Sequence, residues 1–271
     1  MLRTEQRNEN TMNLDKMSPL EIVQAMNREN AYSVAALEPV LPQVAQAVDA
    51  IAEAFAVGGR LFYLGAGTSG RLAVADAAEC PPTFGVPKGM VVAIIAGGTH
   101  TLLNASENIE DDPEGGINEL KNHGITGKDV VMGISASGGA AFVCKAVEYA
   151  KSLGCVTVGL TSNPGTKLTQ VADIAIAPDT GAEVLTGSTR LKAGNAQKMV
   201  LNMITTAAMV RSGYVYENLM INLKPSNIKL RDRVVRIVRE ITELEYAACE
   251  ELLERSNWVI KDAIRLWKES K

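Results

Sequence analysis

The chain has 271 residues, of which 46% are hydrophobic and 21% charged, so it is long enough to bury a full core. Its formal net charge of −4 argues against a nucleic-acid partner, because binding the phosphate backbone needs a concentrated basic surface. No apolar run reaches the roughly 18 residues of a membrane span, and the polar opening residues predict no secretory leader, so we expect a cytoplasmic protein.

The four cysteines and two histidines are too dispersed to predict a metal or redox site. We expect the cysteines to be reduced and to serve packing. His123 is predicted at a helix end, whereas His100 follows a predicted strand and keeps a functional alternative open.

The chain begins with helical periodicity, from about residue 13 to residue 55. Ser18 is a predicted helix cap and Pro19 the first helical residue. We therefore predict a helical lead-in of two or three helices, assigned to residues 1–50.

Five short apolar runs follow, most of them ending in glycine and separated by helix-like segments: "RLFYLGAG", "MVVAIIAGG", "DVVMGISASG", "CVTVGLTSNPG" and "ADIAIAP". This alternation predicts an α/β domain over residues 51–223, with a five-stranded, mostly parallel sheet covered on both faces. Ligands of such a sheet gather at the carboxyl ends of its strands.

A long helix is predicted from Thr189 to Ser212, capped by Gly213. After "KPSN" the composition changes to charged amphipathic segments, which predict a small helical tail over residues 224–271. Trp258 and Trp267 are expected to fill the core of that tail.

The loop "GAGTSG" matches a dinucleotide-binding fingerprint in form only. The next predicted strand ends without the carboxylate that binds the ribose of a dinucleotide. Thr68 and Ser69 instead add hydroxyl donors to the N–H groups at a helix start, which suits a phosphate or a sugar oxygen.

A second loop, "GISASGGAAF", places Ser135, Ser137 and Gly138 at another strand end. Two hydroxyl-bearing loops at one sheet edge favour a phosphate site. The alternative, that these serines only cap helices, stays open, since serine is a favoured cap.

Glu79 is predicted in the last turn of a helix that "CPP" ends. The negative end of a helix disfavours an anion and so favours the protonated form that a general acid needs. A solvated surface glutamate is the alternative. A second acidic cluster, "SENIEDDPEGG", offers several possible bases, and spacing singles out none of them: Glu107, Glu110, Asp111, Asp112 and Glu114.

The segments "TEQRNENTMNLDKMS", "LFYLGAGTSGRL", "AAECPPTFGV", "ENIEDDPEGG", "SASG" and "GAEVLTGSTRLKAGNAQK" occur in the order seen in bacterial N-acetylmuramic acid 6-phosphate etherases. The resemblance runs from about residue 4 to residue 220, with a weaker echo in the tail, which is similar to a small ubiquitin-associated-like bundle. It implies the flavodoxin-like three-layer α/β sandwich of the sugar isomerase (SIS) superfamily, a phosphosugar ligand and a homodimer.

The resemblance further implies cleavage of the D-lactyl ether of N-acetylmuramic acid 6-phosphate, with no metal or organic cofactor. Glu79 of "ECPPT" would protonate the departing lactate, and Glu110 of "ENIEDD" would be the base. A further set of residues would bind the phosphate: Gly67, Thr68, Ser69, Gly70, Ser135, Ser137 and Gly138. Four others would reach the sugar or its lactyl carboxylate: Glu183, Ser188, Arg190 and Lys192.

The chain departs from the family pattern at the second loop, where "SASGGAAFV" replaces a usual "SASGRTPYV". Gly139 and Ala140 thus stand in place of an arginine and a threonine, and the lost hydroxyl predicts phosphate binding weaker by about ten- to a hundredfold. Asn195 and Thr99 are also unusual. A phosphosugar-binding regulator without turnover and a sugar-phosphate isomerase are the alternative functions.

Overall fold

A computed structural model describes residues 1–104, 106, 108–222, 225 and 228–270. The chain forms two compact units, the first of Met1–Ala77 and Gly89–Ala208 and the second of Ala78–Lys88 and Met209–Lys271. Most of the "KPSN" boundary segment lies outside the described residues, and the predicted domain limits stay a prediction.

The lead-in is helical, as predicted, with helices α1 (Pro19–Ala35) and α2 (Leu41–Ala56) preceded by three short 3₁₀ turns. Ser18 forms a capping box, in which its side chain and that of Glu21 each bind the other residue's backbone N–H. The cap and Pro19 at the first position confirm the predicted start of α1.

The sheet has five strands, all parallel, in the order β2-β1-β3-β4-β5. They are β1 (Leu61–Gly65), β2 (Val91–Ile95), β3 (Val130–Ile134), β4 (Val156–Leu160) and β5 (Ile174–Ile176). This confirms the predicted sheet and its flavodoxin-like order. The order reverses between β1 and β3, which is where open α/β sheets bind their ligands.

Both faces of the sheet are covered. Successive side chains of a strand point to opposite faces, yet Leu61, Phe62, Tyr63 and Leu64 are all fully buried. The other helices of this part of the chain are α3 (Gly67–Phe84), α4 (His100–Leu103), α5 (Gly115–Asn122), α6 (Ala141–Ser152), α7 (Lys167–Val171) and α8 (Lys192–Arg211). Helix α6 packs on β1, β3 and β4, and α2 packs on β3 and β5.

Two predicted helix boundaries are wrong. Helix α3 continues through Pro81 and Pro82 to Phe84, so Glu79 does not lie in its last turn. The prolines lack an N–H, but their fixed φ is compatible with a helix, and Gly85, at φ +66°, ends it by donating to the carbonyl of Pro81. Helix α8 begins at Lys192 rather than at Thr189, because its first two N–H groups, those of Lys192 and Ala193, bind the buried carboxylate of Glu183.

The second unit contains helices α9 (Ile228–Thr242), α10 (Tyr246–Arg255) and α11 (Ile260–Glu269) and a two-stranded antiparallel ribbon of β6 (Val215–Tyr216) and β7 (Leu219–Met220). Trp258 and Trp267 are partly buried and pack against its apolar core, instead of filling it as was expected. Gly213, at φ +76°, follows the end of α8 and confirms the predicted cap.

All four cysteines are free and buried, which confirms their packing role. His123 follows the last residue of α5, as predicted, and His100 is exposed at the start of α4. No described helix combines the length and the apolar character that crossing a bilayer requires.

Candidate functional site

A cavity of about 300 Å³ lies at the carboxyl ends of β1 and β3, where the strand order reverses. Both predicted hydroxyl loops line it. Its lining consists of Glu5, Ala66, Gly67, Thr68, Ser69, Glu110, Ile134, Ser135, Ala136, Ser137, Ala140, Gly187 and Thr189. The structure therefore assembles one site from five separate parts of the sequence, all of them in the first unit.

The first loop turns directly from β1 into α3, so the helix N-terminus opens at the cavity. Gly65 and Gly70 permit this tight turn, because a Cβ on Gly70 would lie 2.7 Å from the carbonyl oxygen of Gly65. The N-terminus of a helix presents unpaired N–H groups and a positive dipole to an anion. Thr68 and Ser69 add their hydroxyls beside it, and Ser69 is 7% exposed.

The second loop holds two serines that are also part of their own turn. Ser135 Oγ accepts from the N–H of Gly138 at 3.1 Å, and the hydroxyls of Ser135 and Ser137 lie 3.3 Å apart. Gly138 has φ +69°, and a Cβ there would lie 2.1 Å from Thr166 Oγ1. The serines thus stabilise their own turn as acceptors, and both line the cavity. They do not cap α6, whose N-cap residue is Ala140, so the helix-capping alternative is wrong for this loop.

The N-terminal segment forms one wall of the cavity, which the sequence analysis missed. Asn163 is 2% exposed and holds this segment through Thr4. Its Nδ2 donates to Thr4 Oγ1 at 3.0 Å and to the carbonyl of Ala136, in the second loop, at 2.8 Å. Glu5 is thereby placed among the lining residues. The segment "TEQRN" was part of the resemblance, but its residues carry no local pattern that predicts such a contact.

Within the acidic cluster, Glu110 lines the cavity, and the other described carboxylates of the cluster do not. It lies in a 3₁₀ turn, Ile109–Asp111, that follows Asn108 in the left-handed region at φ 64°. Asp112 instead accepts from the backbone N–H of Glu114 at 3.0 Å. Glu107 lies outside the described residues.

Glu79 is exposed on α3 and belongs to the second unit. It is not among the residues that line the cavity. The structure brings Glu110 together with the hydroxyl loops, whereas the role of Glu79 stays a prediction from the resemblance.

The segment from Glu183 to Lys192 contributes differently from what the resemblance implied. Its lining residues are Gly187 and Thr189. Glu183 is fully buried and accepts from the N–H groups of Lys192 and Ala193, each at 2.9 Å. Burial raises the pKa of Glu183 above its ordinary value, although those N–H groups lower it in part.

The remaining predicted residues of that segment do not line the cavity either. Lys192 is buried and its Nζ lies 2.6 Å from Oε2 of Glu29, on α1. Ser188 is partly exposed and Arg190 is exposed. The buried side chains of Glu183 and Lys192 therefore each bind other groups of the protein.

The four positions that depart from the family pattern fall into two groups, one at the cavity and one away from it. Ala140 lines the cavity and is the residue before α6, where it makes no side-chain capping bond. Gly139 adjoins it, and its N–H donates to Ser137 Oγ at 3.4 Å. Asn195 instead donates to Asn30, and Thr99 is exposed before α4. Among the residues that the structure describes, no three His, Cys, Asp or Glu side chains are grouped to hold a metal ion.

Comparison with known proteins identifies close relatives over nearly the full chain. The chain is 52% identical to an N-acetylmuramic acid 6-phosphate etherase of Actinobacillus succinogenes over 97% of its own length and 86% of the relative's. It is 50% identical to the protein of that name from Pasteurella multocida, covering 97% and 87%.

Family models and solved structures agree on the fold. The SIS domain model matches residues 117–207, and the model of the glucokinase regulatory protein N-terminal SIS domain matches residues 43–151. A phosphoheptose isomerase from Francisella tularensis superposes with a TM-score of 0.55 at 19% identity, covering 73% of this chain and all of the other. A phosphoheptose isomerase from Neisseria gonorrhoeae gives 0.55 at 21% identity, covering 70% and 98%.

Proposed function

The chain belongs to the family of N-acetylmuramic acid 6-phosphate etherases, and on that ground we propose that it cleaves the D-lactyl ether of N-acetylmuramic acid 6-phosphate. The products are N-acetylglucosamine 6-phosphate and D-lactate, as in the recycling of peptidoglycan. The observation that carries the proposal is the identity of 52% over 97% of the chain.

The cavity supports a phosphosugar ligand. Its first loop offers the N-terminus of a long helix, and both loops add hydroxyl groups. Such a set of neutral donors can hold a phosphate without a neighbouring cation. We assign this role to the residues predicted for it: Gly67, Thr68, Ser69, Gly70, Ser135, Ser137 and Gly138.

The ether is cleaved by elimination followed by addition of water. In the open-chain aldehyde, the carbonyl acidifies the C2 proton. Glu110, the carboxylate in the wall of the cavity, removes that proton, a C2–C3 double bond forms, and the C3–O bond breaks. The resemblance assigns to Glu79 the protonation of the departing lactate oxygen. Water then adds its hydroxyl to C3 and a proton to C2, which restores the sugar.

The direct test is to incubate the purified protein with N-acetylmuramic acid 6-phosphate and measure D-lactate with a D-lactate dehydrogenase assay. We expect release from this substrate and none from unphosphorylated N-acetylmuramic acid at the same concentration. In water enriched in ¹⁸O, the label should enter the sugar at C3 and not the lactate. Absence of lactate at any protein concentration would contradict the proposal.

A regulatory protein that binds a phosphosugar without turnover is the second candidate. The match of residues 43–151 to the glucokinase regulatory protein model favours it. It predicts that the phosphosugar raises the melting temperature while no lactate is formed. We also infer a homodimer from the resemblance, and light scattering of the purified protein tests it. The cytoplasmic location expected from the sequence stays a prediction.

A further inference from the structure

Ser69, in the wall of the cavity, forms a hydrogen bond through its hydroxyl to a buried amide. Ser69 Oγ donates to Oε1 of Gln197, on α8, at 3.0 Å. Ser69 is 7% exposed and Gln197 is 2% exposed, and both lie in the first unit. The one proton of the serine is therefore committed to the protein and not to the cavity.

The other end of the same amide is unused. Nε2 of Gln197 is buried and has no hydrogen-bond partner among the described residues. A buried donor without a partner destabilises the folded state. The observed orientation of the amide is therefore unfavourable in the absence of a ligand.

A phosphate dianion offers only acceptors, so each group that binds it must donate. Because Ser69 donates its hydroxyl proton to Gln197, its oxygen has only lone pairs left for a ligand in the cavity, and lone pairs repel phosphate oxygens. A half-turn of the amide about its last side-chain torsion exchanges Oε1 and Nε2. Nε2 then donates to Ser69 Oγ, and the serine proton is free to bind a phosphate oxygen.

We propose that Gln197 is a positioning residue. When a phosphorylated ligand binds, the amide of Gln197 turns and donates to Ser69 Oγ, so that the serine hydroxyl donates to the phosphate instead of to Gln197. This inference rests on the proposed phosphosugar site and names a residue that determines its affinity. Gln197 does not line the cavity, so it acts through Ser69.

Two substitutions at one position separate this role from a packing role. Gln197→Glu keeps the shape but, when ionised, can only accept, so it holds the serine proton. Gln197→Met removes both donor and acceptor and leaves the proton free. We expect the Kd for inorganic phosphate to rise about ten- to a hundredfold in the glutamate variant and to stay within about threefold in the methionine variant. A packing role predicts similar losses in both.

Repulsion between the new carboxylate and phosphate is measured separately, by repeating Gln197→Glu in a Ser69→Ala background. The proposal predicts that the glutamate loses a large part of its effect there. Inorganic sulfate, whose charge is constant from pH 5 to 8, serves as the probe for pH. Its binding to the glutamate variant should recover as pH falls and the carboxyl gains a donor proton. Gln43→Met, on α2, removes another glutamine with a buried unpaired atom and should leave binding unchanged.

In the lactate assay, Gln197→Glu should raise KM and leave kcat unchanged, because Gln197 does not touch the reacting atoms. An equal effect of Gln197→Glu with and without Ser69, or wild-type protein that binds no phosphate, overturns the inference. Coupling between the two residues without lactate release would leave the inference standing and contradict the proposed function instead.

Discussion

Nζ of Lys192 lies 2.6 Å from Oε2 of Glu29, and the two side chains are about 5% exposed or less. The amides of Asn8 and Asn10 donate to the same carboxylate, at 2.7 and 2.9 Å. The backbone N–H of Lys192 binds Glu183. These contacts join the N-terminal segment, α1 and the start of α8, so they stabilise the two segments that supply Glu5 and Thr189 to the cavity.

Replacing Lys192 with methionine should lower the free energy of unfolding by about 3–5 kcal/mol, because Glu29 is left as a buried charge without its cation. Denaturant unfolding measures this. The double variant Lys192→Met, Glu29→Gln should recover most of the loss. Lys145→Met removes an exposed partner of Glu148 and should cost less than about 1 kcal/mol. If Lys192→Met left stability intact and raised only KM, Lys192 would be a ligand-binding residue.

The same pair should make the protein acid-sensitive. Burial alone raises the pKa of Glu29, but the hydrogen bonds from Lys192, Asn10 and Asn8 outweigh it and hold that pKa below the ordinary 4.5. A lowered folded pKa stabilises the protein above pH 4.5, and this contribution is lost as pH falls through the folded value. Unfolding measured from pH 6 to pH 3 should show a smaller decline in Glu29→Gln than in wild type. Equal slopes would contradict the assignment.

Glu110→Gln should lower the rate of lactate release by a factor of about 10²–10⁴, since it removes the proposed base. It should also stop the exchange of the C2 proton for deuterium in D₂O, followed by NMR of the substrate. Glu114→Gln, in the same acidic cluster but outside the cavity wall, is the matched control and should retain activity. Normal C2 exchange in Glu110→Gln would remove Glu110 from the mechanism.

Glu79→Gln should also slow lactate release by about 10²–10⁴ without unfolding the protein, because the side chain is exposed. An acid that protonates only the leaving oxygen takes no part in removing the C2 proton, so the exchange of that proton should differ between Glu79→Gln and Glu110→Gln. C2 exchange should continue at the wild-type rate in this variant while lactate release is slowed. Circular dichroism and the melting temperature check the fold. Wild-type rates of release in Glu79→Gln would exclude it as the acid.

Ala140→Thr should strengthen phosphate binding by about ten- to a hundredfold, by adding a hydroxyl to the cavity wall. Ala140 precedes α6 and has no side-chain cap, so threonine should also raise the free energy of unfolding by about 0.5–2 kcal/mol. Calorimetry with inorganic phosphate and denaturant unfolding measure the two effects. Gain in stability without gain in affinity would mean that the hydroxyl serves the helix alone.

Local pattern in the sequence determined the elements and the place of the site. Ser18 and Pro19 predicted the start of α1, and the alternation of apolar runs with helical segments predicted the parallel sheet. Ser69 and Ser135 could be placed together because parallel strands end at one edge. Local pattern failed at Pro81 and Pro82, where proline geometry is compatible with the helix that it was expected to end.

Only the tertiary structure decided which side chains meet within that site. It placed Glu110, which local spacing could not distinguish from its neighbours and which only the family resemblance named, in the cavity wall. It also brought Glu5 to the wall and placed Glu183 and Lys192 in buried contacts of their own. Ser69 and Gln197 are 128 positions apart, so their bond leaves no trace in spacing. Contacts of this kind depend on the packing of distant elements, and periodicity and helix or turn signals report only on neighbours along the chain.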